Sequence, residues 1–239
     1  MELAYEAPIG NTRMAIAEGD YIFAIAPMLK IPEYAEAVKR TRELTRPMPL
    51  YIDNGVYEDQ LMGVEEYVEL CLEWKPDVVV APDVLFGMEK TAELATEFFR
   101  RLGKEPPFDV MFVPQGNDFV EREKCAWLVK GEWDYQILGL GLGAFNKDWH
   151  SRIAFYEKHK DEDLCVHILG IANIADLCYW KGIAGTVDTS LPFHLAQEGK
   201  DLLRKKETKR LDWADTLVGR RLALAESNIS MLEGMLENV

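Results

Sequence analysis

The chain has 239 residues, 48% of them hydrophobic and 28% charged, with a formal net charge of −14. That length suits a single α/β barrel, the apolar share supplies a sizeable core, and no apolar run approaches the ~20 residues of a membrane-spanning helix. The acidic balance excludes broad, non-specific attraction to nucleic acid, which needs positive charge, although a local basic patch stays possible. The opening Met1-Glu2-Leu3-Ala4-Tyr5-Glu6 has neither the basic nor the apolar region of a secretory signal, so a cytoplasmic location with no membrane partner is the expectation.

Short apolar runs rich in Val, Ile, Leu and aromatic residues, bounded by Gly, Pro or Asp, predict strands over Thr12–Glu18, Tyr21–Pro27, Pro49–Gly55, Asp77–Asp83, Val110–Gly116, Tyr135–Gly141, Cys165–Ile171 and Gly185–Leu191. Several are almost continuously apolar, the pattern of parallel strands covered on both faces. Helical periodicity and end signals predict helices over Pro32–Thr45, Val64–Trp74, Glu89–Leu102, Asn117–Lys130, Asp148–Lys160 and Asn173–Lys181, and a last helix from Asp212 to about Glu237. Val64, Tyr67, Val68, Cys71 and Leu72 share one stripe, as do Trp213, Leu217, Leu224, Met231 and Met235. Asn117 or Asp118 is placed to cap the fourth helix. The first two strands leave no room for a helix between them, so the opening reads as a hairpin or an irregular lid.

Strands alternating with helices predict a (β/α)8 TIM-type barrel, with a doubly wound open sheet as the alternative; no GxGxxG follows the first strand to favour the latter. No repeat or low-complexity linker breaks the chain, so one barrel domain over 1–239 is expected. The cysteines, Cys71, Cys125, Cys165 and Cys178, form no CxxC pair and read as buried thiols.

In such a barrel the active site lies at the C-terminal ends of the strands. There the sequence places Asp53, Asp83, Gln115 and Asp188, each closing or following an otherwise apolar strand, with His167 in mid-strand. Clustered carboxylates push one another's pKa values apart, which suits one to be a nucleophile and another an acid or base. The competing reading makes each Asp the N-cap of the following helix. Gly139, Gly141 and Gly143 lack the Lys-Ser/Thr of a P-loop but allow close backbone approach to a flat ligand. Two or three Asp are the only weak hint of a metal. His150, His159, His167 and His194 show no zinc spacing, so no metal or cofactor is assigned. Lys200, Arg204, Lys205, Lys206, Lys209 and Arg210 form a basic stretch that is either a nucleic-acid contact or a solvated helix face.

The order of these motifs resembles the tRNA-guanine transglycosylase family from about residue 20 to the C-terminus. Tyr51-Ile52-Asp53-Asn54-Gly55-Val56-Tyr57 is similar to that family's Asp-Ser-Gly-Gly-Phe strand end. Asp77-Val78-Val79-Val80-Ala81-Pro82-Asp83 is similar to the strand whose Asp recognises the base. Val113-Pro114-Gln115-Gly116 looks like its Val-Gln-Gly, and Leu138 to Gly143 its glycine-rich, base-reading loop. His167-Ile168-Leu169-Gly170-Ile171-Ala172, Gly182 and Val187-Asp188-Thr189-Ser190-Leu191-Pro192 resemble its closing motif, and Asn228-Ile229 its late Asn-Leu. The resemblance implies Asp188 as covalent nucleophile and Asp53 as the group that handles protons. It implies base binding by Asp83, Gln115, Gly116, Leu140 and Gly141.

The family's zinc subdomain has no counterpart; the basic stretch after Lys200 takes its place. Phe193 and His194 stand where tRNA-acting members carry Arg. These departures resemble the compact bacterial and phage transglycosylases that insert 7-deazaguanine bases, preQ0-like, into DNA. Phe193 is read as core or as a base-stacking residue. Base exchange on DNA or tRNA, with DNA favoured, is therefore the expected activity. A glycosidase or lyase acting on a nucleoside or modified base, and a non-catalytic binding subunit, are the alternatives. Monomer and homodimer both stay open.

Overall fold

The computed structural model describes residues 1–44, 48–58, 60–103, 105–160, 164–171, 173–202 and 211–238. Eight strands form one sheet in the order β1-β8-β7-β6-β5-β4-β3-β2, and helices alternate with them along the chain. The fold class is the expected (β/α)8 TIM-type barrel. The strands are β1 (Glu2–Tyr5), β2 (Ile22–Ile25), β3 (Leu50–Asp53), β4 (Val78–Val80), β5 (Asp109–Phe112), β6 (Ile137–Gly141), β7 (Cys165–Leu169) and β8 (Thr186–Thr189). The helices are α1 (Thr12–Glu18), α2 (Pro32–Leu44), α3 (Val64–Trp74), α4 (Met88–Leu102), α5 (Phe119–Lys130), α6 (Trp149–His159), α7 (Ile174–Trp180), α8 (Leu191–Gln197) and α9 (Gly219–Asn238). Among the described residues no helix is long and apolar enough to cross a membrane.

The chain divides into two compact units, Met1–Phe23 with Lys30–Met48 and Gly170–Val239, and Ala24–Leu29 with Pro49–Leu169. In the first unit β1 pairs in parallel with β8, bringing Ala4 level with Asp188. The opening of the chain corrects the sequence reading. Thr12–Glu18 is a helix, not a strand, because its buried residues are Thr12, Ala15 and Ile16, spaced by three and four. The true first strand is Glu2–Tyr5, whose Glu and Ala carry little strand preference; its pairing with β8 makes it a strand. The opening is thus a regular strand–helix unit rather than a hairpin.

The last helix begins at Gly219 rather than Asp212. Segment 211–218 instead lies against the loop after β1. Ile9 N–H donates to the Trp213 carbonyl (2.9 Å), and Asn11 donates to and accepts from the backbone of Leu217 (3.1 and 2.7 Å). The buried stripe of α9 is Ala225, Asn228, Ile229 and Leu232, displaced from the expected Leu224, Met231 and Met235. Asn228 accepts from Leu202 N–H (2.8 Å) and donates to the carbonyls of Pro192 (3.1 Å) and Lys200 (3.3 Å), fastening α9 to the end of the β8 unit.

The second unit holds β3 to β7, each pair parallel. The side chains of Ile52, Val79, Val110, Phe112, Leu138, Leu140, Val166 and Ile168 are all buried. Tyr67 of α3 reaches between two strands, its one hydroxyl hydrogen shared between the carbonyls of Val80 (2.9 Å) and Ile52 (3.2 Å). On the opposite face, Tyr51 and His167 bring their ring centroids to 5.9 Å. Of the two caps offered for α5, Asp118 is the one used, and Asp148 and Asn173, expected as the first helical residues, cap α6 and α7; each accepts from a backbone N–H in the first turn. On α3, Val64, Tyr67, Val68 and Cys71 are buried, but Leu72 is 47% exposed. The cysteine expectation is corrected too: Cys71 and Cys125 are buried, while Cys165 is exposed and Cys178 half-buried.

Candidate functional site

The site in the second unit is built on the ends of β3, β4 and β5. Asp53 is the last residue of β3 and is buried; its Oδ2 accepts from the Gly55 N–H (2.8 Å), a turn that the φ of +81° at Gly55 makes possible. Asp83 and Gln115 were expected to end their strands. They stand beyond them, each three residues past the last residue of β4 and of β5, because the proline before each, Pro82 or Pro114, offers no N–H to prolong the ladder. Both are 1% exposed.

Asp83, Gln115 and Asn54 join in one network. Gln115 Nε2 donates to Asp83 Oδ2, and Asn54 Nδ2 donates to Asp83 Oδ1 (2.7 Å) and to the Ala81 carbonyl (2.9 Å). The Val56 N–H donates to Asn54 Oδ1 (2.8 Å) and the Phe86 N–H to Gln115 Oε1 (3.2 Å). Beyond Asp83, the Thr91 hydroxyl accepts from Val84 N–H (2.9 Å) and donates to the Val84 carbonyl (3.2 Å). Among the described residues the network contains one carboxylate, and its hydrogen-bond donors are amides rather than cations. Burial pushes the Asp83 carboxyl up to about 6, against the pull of the hydrogen bonds from Asn54 and Gln115. Tyr67 is raised well above its ordinary range, by burial first and then by Cys71 and by the charge of Asp53; Asp83 adds to it. Its phenol therefore stays a proton donor to the strand carbonyls.

The other expected base-binding residues are placed differently. A Cβ on Gly116 would lie 2.6 Å from Glu121 Cβ and 2.7 Å from Arg122 N, so this glycine is required by the close approach of the loop to α5. Leu140 and Gly141 lie inside β6 rather than in a loop, level with Ile168 and Leu169 of β7, and the Leu140 carbonyl accepts from Arg152 (3.2 Å). A Cβ on Gly139 would meet Val113 Cγ2 at 2.6 Å. The ring of Tyr57, 38% exposed, lies over Gly143 in the loop beyond, where a Cβ would come within 3.1 Å of it.

In the first unit, Asp188 is the third residue of β8, buried, and level with Ala4 of β1. The Thr189 side chain accepts from Leu191 N–H (3.1 Å), turning the chain into α8. Phe193 is fully buried in α8, which makes it core rather than a stacking surface. Lys200 ion-pairs with Glu198. Arg204, Lys205, Lys206, Lys209 and Arg210 lie outside the described residues, as does Ala172. Among the described residues no group of three or more His, Cys, Asp or Glu is placed to hold a metal ion.

Sequence reasoning assigned no part in the site to Asn54, Thr91 or Tyr67, placing Tyr67 only on the apolar stripe of its helix. Asn54 was detectable only as a polar residue directly following Asp53 at a strand end.

No family model and no curated protein matches the chain. Its similarity is to solved structures. KGPDC from Streptococcus mutans matches at 11% identity over 100% of this chain and 98% of that one, with a TM-score of 0.55. Tryptophan synthase subunit alpha from Legionella pneumophila str. Paris matches at 12% identity over 99% and 93%, with a TM-score of 0.54. At such identities the likeness establishes the fold, the (β/α)8 barrel, and nothing finer.

Proposed function

We propose that this chain is a base-exchange transglycosylase that replaces guanine in a nucleic acid, DNA in preference to tRNA, with a 7-deazaguanine base. The observation that carries the reading is the pairing of Asp83 with Gln115. Two of the five residues that the family resemblance names for base recognition are buried and hydrogen-bonded to each other, each just beyond one of two neighbouring strands. Gln115 retains a second side-chain N–H with no partner among the described residues, and a carboxylate has lone pairs beyond the two engaged here. Together they offer a donor and an acceptor to the edge of a flat heterocycle.

In this mechanism an Asp188 carboxylate oxygen attacks C1′ of the target nucleotide. The C1′–N bond breaks, and the departing guanine takes the electron pair and a proton from Asp53. The glycosyl ester on Asp188 is then attacked at C1′ by the ring nitrogen of the incoming base. That nitrogen loses its proton to Asp53 as the ester bond breaks and the carboxylate is restored. A base held in a duplex must leave the stack to react, so single-stranded or flipped substrate is expected.

The test is incorporation of a labelled 7-deazaguanine into DNA and, separately, into tRNA, by wild type and by Asp188→Ala. Label entering DNA with wild type alone supports the reading and its nucleophile. Undiminished incorporation by Asp188→Ala removes that nucleophile. One observation favours a second reading, a glycosidase or lyase acting on a free nucleoside or modified base: the net charge of −14 repels a polyanion. No label in either polymer, with turnover of a nucleoside, selects it.

A further inference from the structure

We infer that Asn54 is a positioning residue that fixes Asp83 as the hydrogen-bond acceptor presented to the substrate's heterocyclic edge. This rests on the proposed role of Asp83 in base recognition and adds a residue to which that reading gives no task.

A side-chain amide has two orientations that exchange its oxygen and nitrogen, and only one presents donors to a carboxylate. For Asn54 the choice is made by the backbone. The Val56 N–H points at Oδ1 at 2.8 Å, so the NH2 group must face the other way, where the Ala81 carbonyl and Asp83 Oδ1 receive its two hydrogens. Both N–H donors of this amide are used by the network, which is consistent with orienting Asp83 rather than donating to a ligand. Gln115 is set in the same manner. The Phe86 N–H on Oε1 turns its NH2 group toward Asp83 Oδ2. Phe86 itself sits at φ +62°, a left-handed conformation that a bulky side chain rarely adopts. Each carboxylate oxygen of Asp83 thus receives one amide whose direction is locked by a main-chain N–H.

The consequence is chemical. Asp83 is buried, and burial alone favours its neutral form. A protonated Asp83 would present a hydroxyl where the substrate edge requires an acceptor. The Asn54 donor opposes protonation, as do Gln115 and the backbone of Asp83 itself, and keeps the carboxylate an acceptor.

The experiment is isotope-edited infrared titration of the Asp carboxyl stretch in the full chain, with Asp83→Asn assigning the band. Asn54→Ala is expected to move the Asp83 titration upward by about one unit, the size of one hydrogen bond to a charged group. Asn54→Asp, which keeps the side chain's size and puts a second carboxylate beside the first, is expected to move it upward as well. If Asn54→Ala fails to fold, Asn54→Asp alone decides. Titrations that stay at the wild-type position overturn the role of Asn54, and base exchange by wild type would then still stand. Conversely, shifted titrations with no base exchange by wild type support Asn54 as the holder of Asp83 and count against the transglycosylase reading. With exchange present, the acid limb of kcat/KM should move in the same direction as the infrared band.

Discussion

The hydroxyl of Thr91 and the backbone of Val84 hold each other reciprocally, the hydroxyl accepting from the Val84 N–H at 2.9 Å and donating to its carbonyl at 3.2 Å. Thr91 is fully buried in the first turn of α4, so this contact ties the residue that follows Asp83 to a rigid element. Thr91→Val keeps the shape and removes both bonds, leaving a part-buried N–H and carbonyl with fewer partners. The expected loss of stability is about 1–3 kcal/mol, read from urea unfolding. An unchanged midpoint would mean that the loop is held elsewhere.

Gly139 is surrounded inside β6. An added Cβ would meet Val113 Cγ2 at 2.6 Å and Leu169 Cδ1 and Met111 Sδ at 3.0 Å, atoms from both neighbouring strands. Gly139→Ala is expected to destabilise by about 1–3 kcal/mol through overpacking. Ala at Gly182, where no atom lies within 4 Å, would meet no such crowding, but its φ of +80° charges a backbone cost instead. Thermal melts of the two variants at two salt concentrations compare steric and backbone penalties directly.

Asp83 gives the chain a pH dependence whose sign is determined. Its folded-state value, about 6, lies above the ordinary 3.8, so the folded state binds the proton more tightly than the unfolded state. The associated stability is fully present below about 3.8 and is lost as pH rises through about 6. Its size is of the order of 3 kcal/mol. The stability difference between wild type and Asp83→Asn, measured by urea unfolding at several pH values from 4 to 7, should shift against wild type as pH rises. A difference that is flat across that range would contradict the buried, titrating carboxyl.

The thiols should separate by exposure. Cys165 is exposed and Cys178 half-buried, while Cys71 and Cys125 are buried and pushed up by burial to about 12 and about 11. An aromatic disulfide reagent at pH 8 should label Cys165 first and Cys178 next, with Cys71 and Cys125 reacting only after unfolding. Mass spectrometry of the labelled peptides checks the order.

Asn228 supplies one acceptor and two donor bonds to the backbone around Pro192, Lys200 and Leu202. Asn228→Ala should cost about 1–3 kcal/mol by leaving those groups unpaired. Hydrogen exchange should show faster opening at Leu202, whose N–H loses its partner, than in β6, which belongs to the other unit.

Much of this protein is legible from the sequence because the signals are local. The strand–helix alternation after residue 20 and the cap at Asp118 depend on neighbours within a few residues, so periodicity and cap chemistry find them. At the start of the chain the local signals conflict. Thr12–Glu18 mixes Thr, Ile and Ala, and only the burial of Thr12, Ala15 and Ile16 on one side selects a helix. Glu2–Tyr5 becomes a strand through pairing with residues 186–189, a relation that no local window contains.

The same division holds for the candidate site. Asp53, Asp83, Gln115 and Asp188 stood out because each is polar next to an apolar strand. What Asp83 is attached to could not be read, since Asn54 and Gln115 lie 29 and 32 residues away along the chain. Nor could the sequence separate a glycine kept for a ligand from one kept for packing. Gly116 is packed against the first turn of α5, and only assembled neighbours reveal that. Sequence therefore determined which residues are polar at the strand ends and which fold carries them. Tertiary structure decided which of those groups share hydrogen bonds and that Asp53, Asp83 and Asp188 are all buried, because burial and such long-range partnership arise between segments distant in the chain.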